Sequence, residues 1–349
     1  MTAPAVASAL RRGAARLRAA GAPSPDVDVR LLLRFAAGWT EADLVARLGD
    51  PLPGAAEQRF GRLVAARAER IPLQHLTGSV EFWGIHLEVG PEALIPRPDT
   101  EILVEVTLRA LRGKPDLVRF ADVGCGTGCV ALALARSLPR SHVFAVDISS
   151  AALRLTARNV RRVGLSERGT LVRGDLLSGF ASETLDFVVA NLPYIPDTEF
   201  EGLEPEVRDH EPRLALAGGP DGLAPLRRLA PMAARTLAPG GRLAVEIGFG
   251  QQDSARKILA EAGLVGIAAA PDPAGIPRVL QAERQSRADR AAPMERRPME
   301  RRRPRRPKQH LRSLGQPLPT APPCRPTVSR AAHGPCPPAA VAGQDTGAP

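Results

Sequence analysis

The sequence has few aromatic residues and no long apolar run. Aromatic side chains make up only 3% of the 349 residues, so aliphatic side chains and alanine must fill the core that a hydrophobic content of 44% allows. No apolar stretch approaches the roughly eighteen residues that a membrane-spanning helix needs. We therefore expect no membrane contact, and a chain long enough for two folded units with appendages.

Cysteine is equally scarce, with four residues at positions 125, 129, 324 and 336. They form no Cys-x-x-Cys pair and have no histidine at the spacing of a zinc site. The pattern argues against both a disulfide framework and a structural metal. We therefore predict reduced thiols, no bound metal and a cytoplasmic protein.

The formal charge of +10 would suggest a nucleic-acid binder if it were spread over the chain. Residues 286–349 contain thirteen Lys or Arg against four Asp or Glu, a net +9, which leaves about +1 for residues 1–285. The basicity therefore belongs to a Pro/Arg-rich tail, residues 285–349, whose composition predicts disorder. Two interpretations stay open for this tail: weak electrostatic contact with ribosomal RNA, or a solvated appendage without a dedicated function.

Residues 1–75 have the composition of a small helical bundle. Alanine, leucine and arginine dominate, and Pro/Gly breaks at 21–25 and 49–53 separate the predicted helices. The basic N-terminus also has the composition of an organellar transit peptide, but the spacing of Val6, Leu10 and Leu17 favours an amphipathic helix. We interpret the bundle as a docking module for a macromolecular substrate, followed by a predicted β-hairpin over 78–89 with Gly84 at its bend.

A glycine-rich turn after a predicted strand over 117–123 indicates a cofactor site. The pattern Asp122-x-Gly124-x-Gly126-x-Gly128 is followed by a predicted helix to about Leu138. Dinucleotide sites have their third glycine one residue later, where this chain has Cys129. The spacing is instead similar to the first motif of S-adenosylmethionine-dependent methyltransferases, in which glycines let the backbone approach the ligand.

Two further predicted strands end in acidic residues. Asp147 follows the strand over 142–146, at a position where a carboxylate can accept both ribose hydroxyls of an adenosine. Gly174-Asp175-Leu176 follows a strand near 170–173 and is expected to flank the adenine. Both positions suit the adenosine half of S-adenosyl-L-methionine.

The motif Asn191-Leu192-Pro193-Tyr194 follows the apolar run 185–190, which is predicted to be a buried strand. An amide oxygen and a backbone carbonyl can accept hydrogen bonds from a planar NH₂ group, while the tyrosine ring packs on its face. Alone, the motif is equally compatible with an ordinary strand and turn. The order of glycine turn, strand-end acid and this motif is what favours a Rossmann-like methyltransferase.

The segment 94–101, Leu-Ile-Pro-Arg-Pro-Asp-Thr-Glu, is held extended by its two prolines. Arg97 within it could line a pocket, or the segment could be a linker. We expect Thr100 or Asp99 to cap a helix that runs from Glu101 to about Leu111.

Over residues 71–282 the chain resembles the HemK/PrmC family, which methylates the glutamine of the Gly-Gly-Gln loop in peptide chain release factors. Beyond the methyltransferase motifs, the resemblance is carried by specific segments: Pro72-Leu73-Gln74-His75, 94–101, 211–216, 218–223, 246–251 and 272–279. It implies a Rossmann-like class I methyltransferase domain over 76–284 with a seven-stranded, mostly parallel sheet, an α/β fold. The helical bundle is implied to engage the release factor.

The resemblance also implies the roles of individual residues. Asn191, Pro193 and Tyr194 are the expected catalytic residues, joined at the substrate by Leu192 and Arg97. No general base is assigned, and we expect a monomer. The residues expected to bind S-adenosyl-L-methionine are Gly124, Cys125, Gly126, Thr127, Gly128, Asp147, Ile148, Asp175, Leu176 and Asn191.

One departure concerns Leu192, where the family usually has proline. The hydrogen-bonding groups and the ring come from other positions, so we expect activity to survive. Three alternatives remain open: methylation of a ribosomal-protein glutamine, amino methylation of a nucleic-acid base, and a cofactor-binding scaffold without turnover.

Overall fold

The computed structural model describes residues 4–112 and 118–286. Its first part is a helical bundle in which apolar faces meet around buried Leu17, Leu32, Leu44 and Phe60. The Thr40 side chain accepts the N–H of Asp43 at 3.1 Å, and the Thr40 backbone N–H donates to the Asp43 carboxylate at 3.0 Å, which together form a capping box. The helices are α1 Val6–Ala19, α2 Pro25–Ala37, α3 Glu41–Ala46, α4 Gly54–Ala68 and α5 Leu73–Thr77.

The predicted hairpin follows the bundle. Strands β1 Ser79–Phe82 and β2 Ile85–Glu88 pair antiparallel, with Phe82 opposite Ile85. The two turn residues, Trp83 and Gly84, have φ values of 52° and 65°, the left-handed conformation that a two-residue hairpin turn requires. His86 faces solvent on the outer side of β2.

A seven-stranded sheet follows, in the order β5-β4-β3-β6-β7-β9-β8. Strand β9 is antiparallel to both of its neighbours, and every other pairing is parallel. This architecture confirms the predicted class I methyltransferase fold. The strands are β3 Val118–Val123, β4 Ser141–Asp147, β5 Gly169–Arg173, β6 Leu185–Ala190, β7 Leu237–Glu246, β8 Leu264–Pro271 and β9 Pro277–Arg284.

Because helices cover both faces of the sheet, most positions of its central strands β3 and β6 are apolar. Phe120 and Phe187 point into one core, while Ala121 and Val188 point into the other. The helices are α6 Glu101–Ala110, α7 Cys129–Ser137, α8 Ser150–Val163, α9 Pro205–Arg208, α10 Arg213–Leu216, α11 Ala224–Thr236 and α12 Gln252–Glu261.

The bundle is tied to the sheet domain by an ion-pair cluster at the end of α4. Buried Arg67 bonds Asp28 of α2 at 2.7 Å and Glu206 of α9 at 2.8 Å. Arg70 also pairs with Glu206, and reaches Glu204 at 2.8 Å. Burial raises the pKa of Glu206, but the hydrogen bonds from Arg70 and Arg67 outweigh it and the net shift is downward. The cluster therefore holds α9 against the bundle with ionised groups on both sides.

Two predictions concern residues beyond those described. The basic tail lies outside them from residue 287 onward, and so does Leu117 at the start of the strand predicted over 117–123. Within the described ranges, no helix is both long and apolar enough to cross a bilayer.

Candidate active site

The site lies where the connections of the sheet diverge, since β3 pairs with β4 on one side and with β6 on the other. Open α/β sheets bind ligands at such a point, beyond the carboxyl ends of the strands. A cavity of about 340 Å³ opens there. It is lined by the glycine turn after β3, by residues 147–149 after β4, by 174–176 after β5 and by 191–193 after β6.

The glycine turn takes a shape that other residues rarely adopt. Gly124, Gly126 and Gly128 have φ values of 76°, 55° and 81°. The first two line the cavity and present only hydrogens to it. Gly128 does not line it: a Cβ there would lie 2.7 Å from Cγ2 of Thr156, so this glycine permits close packing against α8. The turn leaves its inner wall open for a ligand.

Asp122 anchors the turn from below. Its carboxylate accepts a hydrogen bond from the N–H of Ala131 at 2.9 Å, in the first turn of α7. Burial raises the pKa of Asp122 to about 7, against the lowering effect of that bond. Cys125 and Thr127, between the glycines, are nearly fully buried while still lining the cavity.

Asp147 lies at the end of β4 with its carboxylate on the cavity wall. One oxygen accepts the N–H of Gly126 at 3.0 Å and the other accepts the N–H of Ser149 at 2.8 Å. These backbone bonds fix the carboxylate, and each oxygen keeps acceptor capacity for a ligand hydroxyl. The geometry suits the ribose role that the sequence predicts for Asp147.

The residues near the mouth of the cavity suit a flat apolar ring. Ile148 is 49% exposed and Leu214 is 60% exposed although both line the cavity, so a bound ring would cover them. Leu176 also lines it, and the neighbouring Asp175 pairs with Arg228. The glycine turn, the acid and this apolar rim together fit S-adenosyl-L-methionine.

A second cavity of about 210 Å³ adjoins the first. Five residues line both cavities: Leu94, Arg97, Asn191, Leu192 and Ala215. Of the predicted catalytic residues, Pro193 lines the larger cavity and Tyr194 the smaller one. The strand-end motif therefore forms the boundary between two ligand-sized spaces.

The side chain of Asn191 is held by Thr100, which was expected from the sequence to cap α6. Its Nδ2 donates to Oγ1 of Thr100 at 3.1 Å, and the Thr100 hydroxyl makes no capping bond to α6. The predicted cap is wrong because the hydroxyl, which is buried, faces the site instead of the first helical turn. Asp99 makes no side-chain cap either and pairs with Arg278 at 3.3 Å.

The tyrosine of the motif is fixed at both ends. Its hydroxyl donates to Oε1 of Glu246 at 3.4 Å, and its carbonyl accepts from Nε2 of Gln251 at 2.9 Å. Oε1 of Gln251 in turn accepts the N–H of Gly248 at 2.9 Å. A Cβ at Gly222 would lie 2.2 Å from the Tyr194 carbonyl oxygen, so only glycine fits beside this contact. Burial raises the pKa of Tyr194 to about 12, so the phenol stays protonated.

Arg97 lies in the wall of both cavities, and the pocket interpretation of its segment is the one the geometry supports. Its guanidinium donates to Oε2 of Glu211 at 2.8 Å. The carboxylate of Glu211 also accepts the N–H of Ile95 at 3.3 Å. Burial raises the pKa of Glu211, although Arg97 opposes the shift. This pair fixes the extended segment 94–97 against the cavities.

The site residues that the sequence did not predict include Thr100, Glu211 and Glu246. Each lies in a segment that carried the family resemblance, but only Glu246 had a local signal, an acid at the carboxyl end of an apolar strand. No group of three or more potential metal ligands occurs among residues 4–112 and 118–286.

Comparisons with known proteins agree with this geometry. The PrmC N-terminal domain matches residues 8–78, and the methyltransferase small domain matches residues 99–202. Fold, site and matched domain together define a class I methyltransferase.

Curated relatives identify the family. The release factor glutamine methyltransferase of Moorella thermoacetica is 45% identical over 255 residues, which cover 73% of this chain and 89% of the relative. That of Caulobacter vibrioides is 40% identical over 262 residues, covering 74% and 89%. A solved protein-(glutamine-N5) methyltransferase from Alicyclobacillus acidocaldarius is 33% identical, with a TM-score of 0.35, and covers 57% of this chain and 99% of its own.

The chain belongs to the family of release factor glutamine methyltransferases. The resemblance stated from the sequence is thereby confirmed, and with it a methyltransferase that uses S-adenosyl-L-methionine. The roles of individual residues and the domain boundaries at 75/76 and 284/285 stay predictions.

Proposed function

We propose that this protein transfers a methyl group from S-adenosyl-L-methionine to the side-chain amide nitrogen of the glutamine in the Gly-Gly-Gln motif of peptide chain release factors. The observation that carries the proposal is the shared wall of the two cavities. Asn191 and Leu192 line both spaces, so a ligand in the larger cavity and a side chain in the smaller one meet at the strand-end motif.

The bound cofactor supplies an electrophilic methyl group on a sulfonium. The protein must supply alignment, because an amide nitrogen has its lone pair delocalised into the carbonyl and is a poor nucleophile. The Asn191 side-chain oxygen and the backbone carbonyl at Pro193 are acceptors for the two N–H groups of the substrate amide. Holding that nitrogen in line at near-contact distance contributes on the order of 7–11 kcal/mol of barrier lowering.

The same acceptors stabilise the nitrogen more strongly as it gains positive character, which is differential binding of the transition state. Tyr194 lines the smaller cavity, where its ring can pack against the amide plane. The phenol, with its pKa of about 12, is not a base at neutral pH. Methylation makes the amide nitrogen strongly acidic, so its surplus proton passes to water and no side chain is assigned as a general base.

The helical bundle is proposed to dock the release factor. Its link to the site is direct, because Arg67 and Arg70 hold α9, and Val207 of α9 lines the smaller cavity. We further propose a monomer acting in the cytoplasm, with weak ribosomal RNA contact through the basic tail.

The test is a labelled methyl-transfer assay with purified release factor, ribosomal proteins, ribosomal RNA and DNA as acceptors, for the full chain and for a variant truncated after residue 286. We expect label on the release factor alone, and on its Gly-Gly-Gln glutamine by mass spectrometry. Replacing that glutamine with alanine should abolish labelling.

A matched pair of variants tests the site. Asn191→Ala should lower the rate at least 100-fold, since one positioned acceptor contributes about that much. Arg109→Ala, on the exposed side of α6, serves as the control. Faster labelling of a ribosomal protein or of a nucleic acid than of the release factor, or full activity of Asn191→Ala, would overturn the proposal.

A further inference from the structure

Asn191 can serve the proposed reaction in only one of its two amide orientations. If Oδ1 faces the smaller cavity, it accepts a hydrogen bond from the substrate NH₂. If Nδ2 faces that cavity instead, its N–H groups and those of the substrate are both donors and cannot form a hydrogen bond. The structure has Nδ2 directed at Thr100, 3.1 Å from its Oγ1. What keeps the amide in this orientation is therefore part of the catalytic apparatus.

Thr100 alone does not decide the orientation, because a hydroxyl is both donor and acceptor. Its only hydrogen is directed by the next group, the buried Glu246 carboxylate, whose pKa the Thr100 hydroxyl lowers and which also accepts from Tyr194 of the same motif. An ionised carboxylate is an acceptor only, so the hydroxyl hydrogen goes to Glu246. The Thr100 oxygen is then left to accept from Asn191.

The carboxylate is well placed for this task. Glu246 is 6% exposed at the carboxyl end of β7, and its Oε1 also accepts from the hydroxyl of Tyr194. Its Oε2 is buried and has no hydrogen-bond partner within normal distance among the described residues. Nothing in the proposed methyl transfer uses Glu246 directly, although burying it costs free energy.

Resting on the proposed function, we propose that Thr100 and Glu246 are positioning residues that set the amide orientation of Asn191. The relay runs from Asn191 Nδ2–H to Thr100 Oγ1 and from Thr100 Oγ1–H to the Glu246 carboxylate. The Tyr194 hydroxyl donates to the same carboxylate, so one acid fixes both polar residues of the motif. Neither Thr100 nor Glu246 contacts the reacting atoms.

Protonation of Glu246 reverses the relay. A neutral carboxyl can donate to Thr100, whose hydrogen then turns to Asn191 and favours the flipped amide. Burial raises the pKa of Glu246 to about 7; Thr100, Tyr194 and Arg278 lower it and Asp99 raises it. Among the described residues the thiol of Cys129 is a further ionisable neighbour, and burial raises its pKa to about 12, so it stays protonated. The rate at saturating cofactor should fall as the pH drops through this value.

The main test removes the hydroxyl without changing shape. Thr100→Val should lower kcat for release factor methylation at least tenfold, with the cofactor Kd within twofold of the parent. Thr100→Ser, which keeps the hydroxyl, should recover most of the rate. Thr107→Val is the matched control, since Thr107 is, like Thr100, a buried threonine, lies within α6 and donates its hydroxyl to the Leu103 carbonyl.

A double-variant cycle shows whether Thr100 acts through Asn191. In the Asn191→Ala background, adding Thr100→Val should cause no further loss. Glu246→Gln should lower kcat and remove the decline of rate below pH 7. It provides an independent test if Thr100→Val does not fold.

The inference is overturned if Thr100→Val keeps kcat within twofold, if its loss persists in full beside Asn191→Ala, or if Glu246→Gln retains the parental pH profile. Failure of the proposed function itself is a separate result, because the parent protein would then not methylate release factor at all.

Discussion

Replacing Arg67 with methionine should destabilise the protein strongly. The substitution keeps the length of the side chain but removes the charge from a site where Arg67 is 3% exposed and Asp28 is 5% exposed. Two ion pairs are lost, at 2.7 Å to Asp28 and at 2.8 Å to Glu206. Glu206 keeps Arg70 as a partner, but Asp28 is left as an uncompensated buried carboxylate.

Breaking a buried pair by removing one partner costs about 3–5 kcal/mol. For a chain of this size, each kcal/mol corresponds to a shift in Tm of about 2–4 °C, so we expect Arg67→Met to lower Tm by roughly 10 °C. Urea unfolding followed by circular dichroism measures the free energy directly. Because α9 carries Val207 in the wall of the smaller cavity, KM for the release factor should rise while the cofactor Kd stays unchanged.

The matched control is Arg109→Met. Arg109 pairs with Glu105 on the surface of α6, where both side chains are more than half exposed, and such pairs contribute little. A loss below about 1 kcal/mol for Arg67→Met, or an equal loss for the two variants, would refute the reasoning. Adding Asp28→Asn to Arg67→Met should restore part of the stability, because it removes the stranded charge.

Three further predictions concern the cofactor cavity. Gly128→Ala should lower Tm measurably, since φ is 81° and the new Cβ would lie 2.7 Å from Thr156, and an unchanged Tm would contradict this. Asp147→Ala should weaken cofactor binding at least tenfold by calorimetry, and unchanged affinity would remove Asp147 from the ribose site. The pKa of Asp122 is raised to about 7 in the folded state, so its protonation stabilises the fold fully below the ordinary pKa of an aspartate, and this contribution, on the order of 4 kcal/mol, is lost as the pH rises to 7. Asp122→Asn should therefore make the free energy of unfolding less dependent on pH between pH 4 and 7. Urea unfolding of parent and variant at both pH values measures this, and parallel curves would count against it.

Local sequence signals predicted the sheet because each central strand carries its own pattern. The runs 118–123 and 185–190 are short and mostly apolar, and a glycine or a proline follows each within three residues. The hairpin was equally local, since the turn at Trp83 and Gly84 joins two strands that pair with each other. Helix boundaries in the bundle followed proline and glycine for the same reason.

Contacts between distant segments could not be read in this way. Thr100 was expected to cap its helix because that is the commonest use of threonine at such a position. Its hydroxyl bonds Asn191 instead, 91 residues away along the chain, and Arg70 bonds Glu206 across 136 residues. Hydrophobic periodicity carries no information about which polar side chains meet after folding.

The bridge from Gln251 to Tyr194 has a consequence for the newly made chain. The glycine turn and Asp147 belong to the first half of the domain and can take shape while the ribosome is still adding residues. The tyrosine of the motif is secured only after β7 and the residues through Gln251 have been synthesised. A nascent chain could thus acquire its methyl-donor compartment before its acceptor compartment, and it would gain turnover only near the end of translation, the process whose termination its proposed substrate carries out.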